Sequence, residues 1–302
     1  MNPIDMSFNI LHVKLPYFVV PWHFHPEVEI MYVIKGEGTR FVGDNIENFS
    51  AGDFVIVGSN TPHVWRNNEK HYKNKDLNAE CLVLFFKEET FGEYFLSIPE
   101  MSNIKRMLVD AKRGIKFSDK NSSKLKELMI RASKEKGINR MLIILGLLQE
   151  MTNYQNSDLL CSIGYNPDIK YEDYDRLNKC IEYIMVNFEK KIKLKEVADV
   201  VCMTPNSFCR YFKKRTAKTF SRFLTELRIG KACQLLIDTD EKIIEIAFES
   251  GFNSLSNFND QFLKVKKIGP REYRSRNHIN DNLNQIDESY VHLAAPEKKS
   301  YT

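Results

Sequence analysis

Between Phe18 and Phe86 the apolar positions come in short runs broken by turn residues. Glu29–Ile34, Thr39–Val42, Asp53–Val57 and Cys81–Phe86 are rich in Val, Ile, Phe and Tyr. Lys35-Gly36-Glu37-Gly38, Gly43-Asp44-Asn45, Ala51-Gly52 and Gly58-Ser59-Asn60 interrupt them. Short strands with turn signals at spacings of about 8–12 residues predict an all-β barrel or sandwich. After Pro99 the spacing turns helical: Ile104, Leu108 and Ala111 share one face, Leu125, Leu128, Met129 and Ala132 a second, and Met141, Ile144, Leu145 and Leu148 a third. Residues 154–172 lose periodicity around Asn156, Ser157, Gly164, Asn166 and Pro167 and read as a linker. From Asp173 to Arg276 the pattern is helical throughout, and the polar tail that follows is expected to be disordered. The expected organisation is a multidomain chain: a β-barrel over 1–98, a helical segment over 99–153, the linker, an all-α domain over 173–276 and a tail over 277–302.

The all-α part repeats itself. Leu194-Lys195-Glu196-Val197-Ala198 is followed by Ser207-Phe208 and Phe212; Ile243-Ile244-Glu245-Ile246-Ala247 is followed by Asn257-Phe258 and Phe262. The alanines lie 49 residues apart and the phenylalanines 50, so the second copy carries one extra residue where a turn belongs. Each copy reads as helix, tight turn, helix. Thr204 can cap the second helix of the first copy, with Pro205 at its first position. Gly251 supplies the second turn, and Asn253 or Ser254 its cap. A helix from Thr219 to about Asp238 joins the copies and spans about 30 Å, close to the spacing of roughly 34 Å between successive major grooves.

Charge follows the same division. Residues 1–171 carry 21 Lys/Arg against 21 Asp/Glu, residues 172–278 carry 21 against 15, and the tail carries 2 against 4. The basic excess of the chain, +4 overall, therefore sits wholly in the repeated helical part, as a nucleic-acid-binding module requires. No apolar run, Met141–Leu145 included, approaches the roughly 18 residues that span a bilayer. No secretion signal precedes Ile10, and the six cysteines are scattered without a Cys-x-x-Cys pair. A cytoplasmic protein with reduced thiols and no membrane partner is expected.

These residues resemble a known family. Leu194-x-x-Val-Ala198, Ser207-Phe-x-Arg-x-Phe-Lys213, Ile246-Ala247-x-x-x-Gly-Phe252, Phe258-x-x-x-Phe262 and Gly269-Pro270-Arg271-Glu272-Tyr273-Arg274 look like the DNA-binding domain of AraC/XylS-family bacterial transcription regulators. The resemblance covers about a third of the chain. It implies sequence-specific binding of double-stranded DNA by two helix-turn-helix units per chain. Carried over to matching positions, the base-facing residues are Asn206, Ser207, Cys209 and Arg210 in the first unit and Ser256, Asn257 and Asp260 in the second. Arg210 can donate twice to guanine and Asn206 can pair with adenine. Lys213, Lys214, Lys266 and Lys267 suit phosphates. Asp260 departs from the family, which often has a basic residue there.

In the β-part, His23-Phe-His25-Pro-Glu-Val-Glu29 followed by Gly36 resembles the first cupin motif, and Gly52-x₅-Gly58-Ser-Asn-Thr-Pro62-His63 the second. If 23, 25 and 29 occupy one strand they share a face, and His63 from a later strand completes a set of three nitrogens and a carboxylate. Such a set suits iron, zinc, manganese or nickel. In AraC-family sensor barrels the same residues often stand without metal, beside a cavity for a small organic effector. That resemblance implies an effector site at His23, His25, Glu29 and His63 with Trp22 and Trp65 in its wall, no cofactor and no bound metal; packing alone is the remaining reading. Phe24, Met31 and Tyr32 are further candidate wall residues.

The expected function is an effector-responsive, DNA-binding transcription regulator and not an enzyme. Its expected partners are DNA, a small-molecule effector, a second copy of the chain and, for an activator, RNA polymerase. The Met141–Leu148 stripe is the expected dimer seam. The alternative is a cupin metalloenzyme, of dioxygenase or isomerase type, with an appended helical domain.

Overall fold

The computed structural model describes residues 7–276 except 75, 93, 118–122, 164 and 166–173; the expected tail and part of the expected linker lie outside them. The chain divides into two compact units, residues 1–186 with 192–220, and residues 187–191 with those described from 221 on.

Among the described residues of the first unit, nine strands form two antiparallel sheets. They are β1 (Phe8–Leu15), β2 (Val28–Lys35), β3 (Gly38–Val42), β4 (Asn45–Phe49), β5 (Phe54–Val57), β6 (His63–Asn67), β7 (Ala79–Phe86), β8 (Ile115–Phe117) and β9 (Ser157–Leu159). A short helix, α1 (Glu69–Lys73), separates β6 from β7. One sheet runs β1-β7-β2-β5-β8-β9 and the other β4-β3-β6. The described strands thus do not hydrogen-bond into one closed barrel. All four expected strands are present. The other five were not among the expected strands: β1 and β6 lie outside the runs singled out, and polar β4 and the three-residue β8 and β9 carry too little alternation to register.

Alternation along β2 sends Ile30, Tyr32 and Ile34 to one side and Met31 and Val33 to the other. The second set meets Val42, Phe49 and Trp65 of the smaller sheet in an apolar interior. Tyr32 therefore lies on the outer face, away from any interior wall. Arg40 of β3, fully buried, ties the sheets together: it donates to Asp53 at 2.5 Å and to Glu47 at 3.1 Å.

The outer face, with Ile30, Phe54, Ile56, Leu82 and Leu84, is covered by α2 (Ser102–Ala111), α3 (Ser123–Lys134) and α4 (Gly137–Thr152). This corrects the expected dimer seam. Ile144 and Leu148 are fully buried in that core, and Met141 and Leu145 pack against it, because the sheet needs an apolar cover. The outward side of α4 carries Ile138 and Leu142 instead. The expected linker is corrected as well. Residues 157–159 are strand β9, paired with β8, and Leu160 and Cys161 are buried behind it.

Helix α5 (Tyr174–Asn187) precedes the repeat, which forms as expected: α6 (Leu194–Val200), α7 (Pro205–Thr216), the joining helix α8 (Phe220–Asp238), α9 (Ile243–Glu249) and α10 (Leu255–Lys266). Equivalent devices shape the two copies. Glu196 accepts from the Lys193 N–H at 2.9 Å and Glu245 from the Lys242 N–H at 3.1 Å. Thr204 accepts from the Ser207 N–H and Ser254 from the Asn257 N–H, both at 3.3 Å. Cys202 and Gly251, each four residues past the packed alanine, take left-handed backbone at φ 53° and 90°. The extra residue is Asn253, and Ser254 is the cap.

Gly251 sits where a Cβ would come within 2.7 Å of the Phe188 carbonyl and 2.9 Å of the Glu189 carbonyl. Gly251→Ala is expected to cost about 1–3 kcal/mol, from left-handed strain and this close approach together. Cys202→Ala should cost less than 1 kcal/mol, about the edge of ordinary surface changes. Urea unfolding of the full chain checks both.

Candidate functional site

Two sets of side chains carry the chemistry: the exposed faces of α7 and α10, and a polar cluster inside the first unit.

On α7, Asn206, Cys209, Arg210, Lys213 and Lys214 are exposed at offsets of three and four, so they share one face, while Phe208 and Phe212 turn into the core. Ser207 is half-buried, and its oxygen accepts from the Thr204 hydroxyl at 3.0 Å, which makes it part of the cap. On α10, Ser256, Asn257 and Asp260 are exposed, and Phe258 and Phe262 are buried. Asn259, Leu263 and Lys264 are exposed too and were not among the expected residues. The 50-residue offset was the signal for them, since it maps Cys209, Lys213 and Lys214 onto these positions. Lys267 is exposed in left-handed backbone at the helix end. Lys266 departs from the face: it is half-buried near Cys233, whose thiol burial pushes up to about 11 against the pull of that ammonium. The equivalent faces differ in charge, with Arg210, Lys213 and Lys214 on α7 against Asp260, Leu263 and Lys264 on α10.

In the first unit, His23, His25, Glu29 and His63 come together, with one potential ligand atom of each lying within 4.8 Å of the others. They do not share a strand as the spacing suggested. Pro26, which has no N–H for a ladder, stands before β2 begins at Val28, so only Glu29 is on that strand. His23 reaches the site through an isolated bridge: its N–H donates to the His63 carbonyl at 3.1 Å, and the His63 N–H returns a bond of 2.8 Å.

Each ring is oriented from behind. The Nδ1–H of His23 donates to the Pro21 carbonyl at 2.9 Å, that of His25 to Glu27 at 3.1 Å, and that of His63 to Thr61 at 2.8 Å. A carbonyl only accepts, so Nδ1 carries the proton in all three and Nε2 is left for the site. Nε2 of His25 and of His63 each lie 3.1 Å from the same Glu29 oxygen. Burial alone would push the Glu29 carboxyl up, but His63 and His25 outweigh it and hold it well below the usual carboxylate range. Burial favours neutral His63, and Glu29 overrides it and raises the imidazole's pKa. Burial, aided by His63, pushes His23 down to about 4. Three oriented imidazoles and a buried carboxylate are a donor set that fits a first-row divalent metal ion.

Trp22 and Trp65 line a cavity of about 370 Å³ whose wall does not include the four polar residues. The two features adjoin, since Trp22 precedes His23 and the Trp65 ring meets the His63 ring edge-on at 5.9 Å. All six cysteines are free, four of them buried. No described helix is long and apolar enough to cross a membrane.

Comparison with known proteins adds to this geometry. Residues 197–276 match the helix-turn-helix domain family and residues 14–72 the cupin domain family. The chain is 25% identical over 273 residues to the "HTH-type transcriptional activator RhaS" of Mannheimia succiniciproducens, covering 88% of this chain and 93% of that one. It is 22% identical over 277 residues to the "Uncharacterized HTH-type transcriptional regulator YdeC" of Bacillus subtilis, covering 85% and 87%. Among solved structures, the C-terminal domain of AraT, a response regulator from Geobacillus stearothermophilus, is 28% identical over 33% of this chain and 84% of its own, with a TM-score of 0.32. The DNA-binding domain of AdpA, in complex with a target DNA, is 21% identical over 35% and 95%, with a TM-score of 0.34. The relatives are regulators, and the metalloenzyme alternative finds no support among them. The chain thus carries a cupin domain ahead of a helix-turn-helix domain of AraC type, the make-up of a DNA-binding transcription regulator.

Proposed function

We propose that this regulator is gated by what its cupin domain binds, and that both helix-turn-helix units read DNA, α7 as the main anchor. The observation that carries the gating is the cluster of half-buried His23 and His25 with buried Glu29 and His63, three rings oriented by backbone carbonyls around one carboxylate. Burying it for packing alone would cost several kcal/mol that apolar side chains avoid. Small effectors with a hydroxyl or an amino group would find acceptors there, in the Nε2 atoms and the Glu29 carboxylate. A second reading rests on the three inward Nε2 atoms: they would hold a divalent metal ion together with Glu29, and the ion would supply a Lewis-acidic anchor for such a ligand. The chain's own residues orient the rings and keep the carboxylate ionised.

The DNA reading is tested on α7. Arg210→Ala is expected to cost about 1–3 kcal/mol on a specific site and to relax base preference there, whereas Asp260→Ala should strengthen binding to random duplex. Fluorescence anisotropy at two salt concentrations measures both. An equal loss on specific and random DNA would make Arg210 a phosphate contact.

The gate is tested by elemental analysis and by DNA affinity before and after metal stripping. About one equivalent of a first-row metal per chain, a DNA affinity that changes on stripping, and a loss of at least about tenfold in metal affinity in Glu29→Gln are expected. A metal-free protein would end the metal reading.

We also propose that the chain acts as a homodimer through the outward side of α4, where Ile138 and Leu142 are 66% and 59% exposed. A dimer would raise the effective concentration of the DNA-reading helices. Leu142→Glu should give a folded monomer by light scattering, and Leu148→Glu, in the core, should unfold the first unit. A Leu142→Glu dimer would place the interface elsewhere. If the protein activates, as the name of its RhaS relative says of that protein, RNA polymerase is its further partner.

A further inference from the structure

The cavity beside the histidine cluster has its own chemistry. One wall is the segment from Tyr17 to Trp22, a second is formed by Val64, Trp65 and Arg66 of β6 with Tyr72 of α1, and the last is α5, through Asn178, Ile181, Glu182 and Met185. Its volume of about 370 Å³ lies within the usual range of small-molecule sites, roughly 300–1,000 Å³. Five of its side chains are aromatic, so a flat apolar body suits it.

Two lining side chains carry buried polar atoms that find no hydrogen-bond partner among the described residues: Trp65 Nε1, a donor, and Asn178 Oδ1, an acceptor. Trp65 is 5% exposed. Leaving such groups unpaired is costly, and a molecule that pairs them recovers that cost on binding. A primary carboxamide answers both, since its carbonyl accepts and its N–H₂ donates. Arg66 and Glu182 bring one charge of each sign to the lining, so it favours neither an anion nor a cation.

We propose that this cavity is a second effector site, distinct from the histidine cluster, and that it takes a neutral aromatic molecule bearing a carboxamide. The proposal deepens the effector-gated reading. One wall of the site is the helix that leads toward α6 and α7, so occupancy by such a molecule fixes α5 against Trp22 and Trp65 and thereby acts on the first helix-turn-helix unit.

The chain carries its own reporter, because its two tryptophans are the two that line this cavity. Benzamide, which barely absorbs at 295 nm, is the probe for the full-length protein. A saturable change in tryptophan emission is expected, together with slower amide exchange across residues 177–186. Asn178→Leu keeps the volume and removes an unpaired acceptor, so it should fold normally and weaken benzamide at least tenfold. Val20→Phe enlarges a lining side chain that is 52% exposed and should abolish the saturable response. No saturation, a response that survives both substitutions, or unchanged exchange in α5 would each overturn the proposal. The outcome is separable from the cluster reading: benzamide binding that persists after metal stripping, with DNA affinity indifferent to stripping, fails the cluster alone.

Discussion

Strand β2 has no side free for solvent, and most of the first unit follows from that. Ile30, Tyr32 and Ile34 on one side require an apolar cover, which α2, α3 and α4 provide. Met31 and Val33 on the other require the smaller sheet. Glu29, on the same strand and 4% exposed, carries a carboxylate into a place where an isolated charge costs several kcal/mol. The imidazoles of His25 and His63 are its answer, at 3.1 Å each. One constraint therefore fixes the core and places the polar cluster, and it also consumes the inner side of α4.

The two helix-turn-helix units show the same constraint met by different residues. Both turns need left-handed backbone four residues past a packed alanine, yet one has Cys202 and the other Gly251. Cys202, at φ 53°, stays within the left-handed well that L-residues can enter, whereas Gly251, at φ 90°, lies beyond it, and crowding adds to the demand for glycine. The carbonyls of Phe188 and Glu189 and the guanidinium of Arg228 crowd Gly251, and Arg228 donates to the Phe188 and Lys190 carbonyls at 2.8 Å. Cys202 is exposed and pays only the backbone strain.

Much of this was legible in the sequence. The helical repeat announced itself because capping, small-residue and aromatic positions recur at offsets of 49 before the turn and 50 after it, and each is a local requirement. The four cluster residues were legible as a set but not in their placement. Period-two reasoning put His23, His25 and Glu29 on one strand, whereas Pro26 breaks the ladder and His23 arrives by pairing with His63. The apolar stripe of α4 was visible, but its partner was not, since a stripe looks the same whether a sheet or a second chain covers it. Strands β8 and β9 were invisible because three residues carry no period.

Equal scaffolds with unequal surfaces imply unequal work on DNA. The exposed face of α7 presents Arg210, Lys213 and Lys214, three cations that gain from any phosphate backbone, whatever its sequence. At the equivalent positions α10 presents Asp260, Leu263 and Lys264, so its attraction to phosphate is largely cancelled. What remains on α10 is selective: a carboxylate that accepts from cytosine N4 and repels phosphate elsewhere, and an exposed leucine suited to a thymine methyl. Such a face is favourable on few sequences and unfavourable on most. On the proposed reading, affinity rests on the first unit and the second contributes by rejecting wrong sites, which is how a protein gains discrimination without gaining strength.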